Sequence, residues 1–126
     1  MKIPKSFLPH SSPEGRPACQ TFRRDACRVL RRFACDMALR SRDFTIRSHS
    51  HRVRAVDVFA LQTDSLLVEI QHSAGAGGVQ MSYRTCQGRG DRAGGRCNAV
   101  NVQSLGTDQG YANLLSTFRV VAGRRR

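Results

Sequence analysis

The chain has no tryptophan and only two tyrosines, and it sets 9 acidic side chains against 21 basic ones. The lack of tryptophan and the shortage of tyrosine argue against a surface that stacks on exposed bases, whether the sheet of an RNA-recognition motif or a single-strand groove. No apolar run approaches the roughly 18 residues that a membrane-spanning helix needs. Gly-x-Ser-x-Gly and dinucleotide fingerprints are missing, and no GK[S/T] follows the glycine-rich stretch. The acids Asp57 and Glu69 fall in different expected strands, with no pairing that suggests acid–base work. Enzymatic activity is not expected, nor is a cofactor. Lysine is nearly absent too, since Lys2 and Lys5 are the only two.

The net charge of +12 is therefore almost entirely arginine. A planar guanidinium fork suits phosphates and carboxylates, although a GC-rich coding sequence inflates arginine without any functional reason. Such a field attracts polyanions and does not choose among them. At 126 residues the chain suits one domain with a modest core. Residues 1–16 hold Pro4, Pro9 and Pro13 among serines and read as a flexible arm, leaving 17–126 as a single α+β domain. The N-terminus is basic but lacks a sustained apolar stretch, so a cleaved signal peptide is not expected and the cytoplasm is the expected location. Five cysteines make an odd set, three of them in one helical segment, which fits reduced thiols better than a disulfide scaffold.

From Pro17 to about Arg40 the apolar period is helical. Cys19, Phe22, Ala26, Val29, Leu30, Phe33 and Met37 fall on one face, and Arg24, Arg28, Arg31 and Arg32 on the opposite one. Cys35 projects towards these arginines, and Cys27 sits at the boundary. After Ser41 the period drops to two. Strands are expected at Phe44–Arg47, with the polar SHSHR as its continuation or a turn, and at Arg54–Leu61 and Leu66–His72. A compact turn at Gln62–Ser65 separates the last two.

The stretch from Val79 to Ser104 folds on itself as a hairpin. Alternation sets Met81 opposite Val102, Tyr83 opposite Val100 and Cys86 opposite Cys97, with Gln80, Ser82, Arg84, Asn101 and Gln103 on the other face. A second helix follows, N-capped by Thr107 or Asp108, with Tyr111, Leu114, Leu115, Phe118 and Val121 on one face and Gly123 as its stop. The fold class is α+β: an antiparallel meander of about five strands with both helices packed on one face.

Four glycines and three arginines occupy the hairpin tip. Arg84, Arg89, Arg92 and Arg96 make one candidate polyanion site, and the helical Arg24, Arg28, Arg31 and Arg32 make another. The tip ranks first, because a long glycine-rich insertion has no packing explanation from the letters and an arginine helix face has one. Opposed Cys86 and Cys97 suggest a thiol pair, joined under oxidation. A metal is not expected, since His49, His51 and His72 lack ligand spacing. Arg89-Gly90-Asp91 resembles the tripeptide of disintegrins, a three-letter match in a chain rich in those residues. The reading is a small basic binding protein engaging nucleic acid. The alternative is an adaptor or inhibitor docking on an acidic protein.

Overall fold

The computed structural model describes residues 3, 4, 7, 16–51, 56–73, 79–91 and 94–123. Helix α1 (Arg16–Asp36) is followed by strands β1 (Thr45–His51), β2 (Val56–Gln62), β3 (Leu66–Ser73), β4 (Val79–Thr85) and β5 (Asn98–Val100). A short 3-10 helix (Val102–Gly106) leads into α2 (Asp108–Ala122). The five strands form one antiparallel sheet in the order β1-β2-β3-β4-β5, so the expected meander and α+β class hold.

Both helices cover the same side of this sheet. Phe22, Leu30 and Phe33 of α1 and Leu115 and Phe118 of α2 share one core with Phe59, Leu61, Leu66, Val68, Ile70 and Met81. Strand alternation sends these sheet residues to the helical side and their neighbours to the other. Edge-on ring contacts lock the layers: Phe22 meets Phe59 at 5.4 Å between centroids, and Phe118 meets both Phe33 at 5.5 Å and Tyr83 at 5.4 Å. Phe7 is buried against Phe22, and Ile3 packs on the same core, so part of the expected flexible arm is pinned. Apart from Pro4 and Arg16, the remainder of that arm lies outside the described residues, as do Arg54 and Arg124–Arg126.

The helix ends have identifiable causes. The α1 helix stops four residues short of the expected Arg40. Leu39 N–H bonds to Ala34 C=O at 2.9 Å, Ala38 N–H bonds to Cys35 C=O at 3.0 Å, and Ala38 sits at φ 58°. This is a Schellman cap with alanine where glycine is usual, which is why composition did not signal it. At the other helix Thr107 caps as expected, its Oγ1 accepting from Gly110 N–H at 3.1 Å. Ser65 Oγ donates to the carbonyls of Val121 and Ala122, both at 2.9 Å, fastening the β2–β3 turn to the last turn of α2.

The hairpin register differs from the expected one by two residues. Met81 pairs with Val100, Ser82 with Ala99, and Tyr83 with Asn98. The second arm is also shorter, ending at Val100 and not running on to Ser104. Asn101 ends it: its Oδ1 accepts from Gln103 N–H at 3.0 Å, a local bond that competes with strand pairing and starts the 3-10 turn.

Candidate functional site

With this register Cys86 and Cys97 are not opposed, which corrects the expected pair. One more step along the ladder brings Cys97 level with Arg84. Both cysteines are free. Cys86 is buried against Ala60 and Leu67 on the sheet side away from the helices, its thiol donating to the Thr63 carbonyl at 3.3 Å. Burial pushes that thiol above its ordinary pKa. Cys97 is exposed.

The tip is not a free cationic loop. It folds back over the open side of the sheet and is held by Gln62, the last residue of β2, which is fully buried. Gln62 Nε2 donates to the carbonyls of Asp91 at 2.7 Å and Gly88 at 3.2 Å, and its Oε1 accepts from Arg47. Carbonyls only accept and guanidinium only donates, so a single amide orientation satisfies all three. Asp91 caps the loop from inside, its carboxylate accepting from Gln87 N–H at 2.9 Å and Gly94 N–H at 3.0 Å. Gly88 N–H reaches Asp64 C=O at 2.7 Å, and Gly95 N–H reaches Thr85 C=O at 2.7 Å.

Glycine is required for that docking. Gly94 has φ 65°, and a Cβ there would run into the Arg84 side chain and come within 2.9 Å of the Thr85 carbonyl. The glycine-rich insertion therefore has the packing explanation that the sequence did not reveal. Arg89 contributes to it, donating to the Arg42 carbonyl and lying 3.6 Å from Asp64. Arg89 and Asp91, which resemble the ends of the disintegrin tripeptide, both make contacts within the fold.

Arg84 bonds to Glu69 at 2.7 Å across the open side, with both side chains about four-fifths covered. Arg96 is exposed, and Arg92 lies outside the described residues. The histidines diverge. His72 turns to the helical side with its ring 5.0 Å from Phe22, whereas His49 alternates onto the open side.

The helical arginines stand on the other side of the molecule from the tip. Arg24, Arg28 and Arg31 are exposed, opposite the buried line of Phe22, Ala26, Leu30 and Phe33. Arg23, which the periodicity left aside, is exposed beside them. Among the described residues no ion pair involves Arg23, Arg24, Arg28 or Arg31. Arg32 is positioned differently. It lies 3.4 Å from Asp36 and 5.4 Å from the centre of the Tyr111 ring. Tyr111 in turn donates to Asp36, and Arg119 donates to the Asp36 backbone carbonyl at 2.6 Å. Burial first, then the Asp36 carboxylate, pushes the Tyr111 hydroxyl up to about 12.

The acids explain why this face stays uncompensated. Asp43 accepts from Arg40 N–H, Asp57 from Ser50, and Asp36, Asp64, Glu69 and Asp91 have the internal partners given above. Asp36 is engaged by Arg32 and Tyr111, half-buried Asp25 is the one other acid on α1, and the crest of Arg24, Arg28 and Arg31 stays exposed. Among the described residues no helix is long and apolar enough to cross a membrane, and no group of three or more His, Cys, Asp or Glu could hold a metal. No family model, curated protein or solved structure matches this chain.

Proposed function

We propose that this protein binds nucleic acid through the exposed arginine face of α1, with the hairpin tip serving the fold. The observation that carries this is the crest of Arg24, Arg28 and Arg31, exposed on a rigid helix and in no described ion pair. These three span about 10 Å along the helix at its usual rise. Guanidinium forks on such an element meet successive phosphates without first ordering a loop, so little conformational entropy opposes the contact. An acidic protein presents carboxylates at irregular spacing and gains less from a straight row.

Fluorescence anisotropy of the protein with labelled DNA and RNA over a salt series tests this. Log affinity should fall linearly with log salt, by roughly 0.7 to 0.9 per phosphate neutralised. At fixed salt, Arg28→Ala with Arg31→Ala should weaken binding more than Arg89→Ala with Arg96→Ala. Equal losses would indicate a diffuse field, and a larger loss from the tip pair would return the site to the hairpin. No binding at about 50 mM salt would favour the acidic-protein alternative.

A further inference from the structure

The arginines of α1 occupy more than a crest. Taking Arg24 as the reference, Arg31 and Arg28 lie about 20° to one side and about 40° to the other, at roughly 100° per residue. Arg23 falls about 100° round on the first side and Arg32 about 80° round on the second. The two flanking residues thus point in nearly opposite directions across the helix, with the crest between them. Both are exposed, and Arg32 is held at its flank by Asp36 and the Tyr111 ring.

We infer that the nucleic acid is double-stranded DNA and that α1 lies in its major groove, an inference resting on the nucleic-acid reading above. A single strand offers one row of phosphates, which the crest alone can follow, leaving both flanks without a partner. Single-strand sites also rely on aromatic platforms, and the exposed side of α1 carries none. Two opposed flanks match two phosphate rows, one on each wall of a groove. The B-form major groove is about 12 Å wide and admits an α-helix, itself about 10–12 Å across. The A-form major groove of duplex RNA is deep and too narrow for that entry.

On the Arg32 flank lie the two acids of α1, Asp25 and Asp36, the latter already bonded by Tyr111 and Arg32, and the neighbouring α2 adds little negative charge. Its exposed residues include Gln109, Asn113, Ser116 and Arg119, and Asp108 at its first turn is its only acid. Asp36 reduces the freedom Arg32 must lose on binding but also offsets part of its charge, so Arg23 is the stronger flank contact.

The test uses a short duplex DNA, one of its strands alone, and the RNA duplex of the same sequence, at one salt concentration. Each phosphate contact contributes about eightfold in affinity near 0.1 M salt, so the duplex DNA should bind about tenfold or more tightly than either competitor. Arg23→Gln with Arg32→Gln should lower duplex affinity at least about eightfold and leave the single strand nearly unchanged. Arg23→Gln alone, which spares the Asp36 and Tyr111 contacts, keeps that comparison available should the double variant fold poorly. Saturating the minor groove with netropsin should leave affinity unchanged. Equal binding to all three nucleic acids, still sensitive to Arg28 and Arg31, would overturn the duplex inference and keep the nucleic-acid reading. Competition by netropsin would overturn the groove assignment, and failure of all three to bind would remove both readings.

Discussion

Replacing Gln62 by leucine preserves approximate volume and removes every hydrogen bond at the hub. Three partners lose a hydrogen bond: the Asp91 carbonyl at 2.7 Å, the Gly88 carbonyl at 3.2 Å, which keeps the Asp91 N–H at 3.3 Å, and the Arg47 guanidinium. A neutral hydrogen bond is worth about 1 kcal/mol net, one to a charged group about 1.5–3, and a buried group left unpaired costs about 1–3. The sum would approach 5 kcal/mol if all three stayed buried. The tip can instead lift away and let water reach both carbonyls, so the loss is limited by the free energy that docks the loop. An expected loss of about 2–4 kcal/mol follows, a large share of the 5–15 kcal/mol typical of a domain. Urea unfolding followed by circular dichroism measures it, and hydrogen exchange at Gln87 and Gly94 reports whether the tip has lifted. Gln62→Glu keeps an acceptor for Arg47 but turns an oxygen towards two carbonyl oxygens, so it should be at least as damaging at neutral pH and partly relieved by acid. A Gln62→Leu variant within about 0.5 kcal/mol of the parent, with unchanged exchange at the tip, would refute the hub.

Ala38→Gly should raise stability by about 1 kcal/mol, because φ 58° costs alanine and not glycine, read as a higher urea midpoint. Tyr111 has a folded pKa raised to about 12 from an ordinary value of 10. Its contribution is thus complete below pH about 10 and is lost as pH rises through about 12, and Tyr111→Phe should flatten that alkaline fall in stability. Absorbance titration of a Tyr83→Phe variant, where Tyr111 is the only tyrosine, should show the late phenolate. Native-state alkylation read by mass spectrometry should modify exposed Cys35 and Cys97 well before buried Cys86, and mild oxidation should not join Cys86 to Cys97. A Cys86–Cys97 crosslink would restore the register expected from alternation.

The sequence by itself determined which residues face the core. A period of 3.6 placed Phe22, Ala26, Leu30 and Phe33 inside and Arg24, Arg28 and Arg31 outside, and Thr107 announced α2 by its capping chemistry. A period of two divided Met81 and Tyr83 from Ser82 and Arg84. That same period hid the register, because sliding one arm by two residues leaves every side chain on its face. Only the tertiary structure chose between the two pairings, through Asn101 turning out of β5 and the loop closing on Asp91. The role of the tip was hidden for a related reason. Gln62 reads as the first residue of a turn after an apolar strand, and the carbonyls it holds lie 26 and 29 residues along the chain. No local pattern encodes a contact at that separation. It exists because the β2–β3 turn and the β4–β5 tip meet at the same end of the sheet, where a buried amide must find partners or forfeit its solvation. That meeting is what assigned the tip to the fold and left the arginines of α1 facing outward on the opposite side.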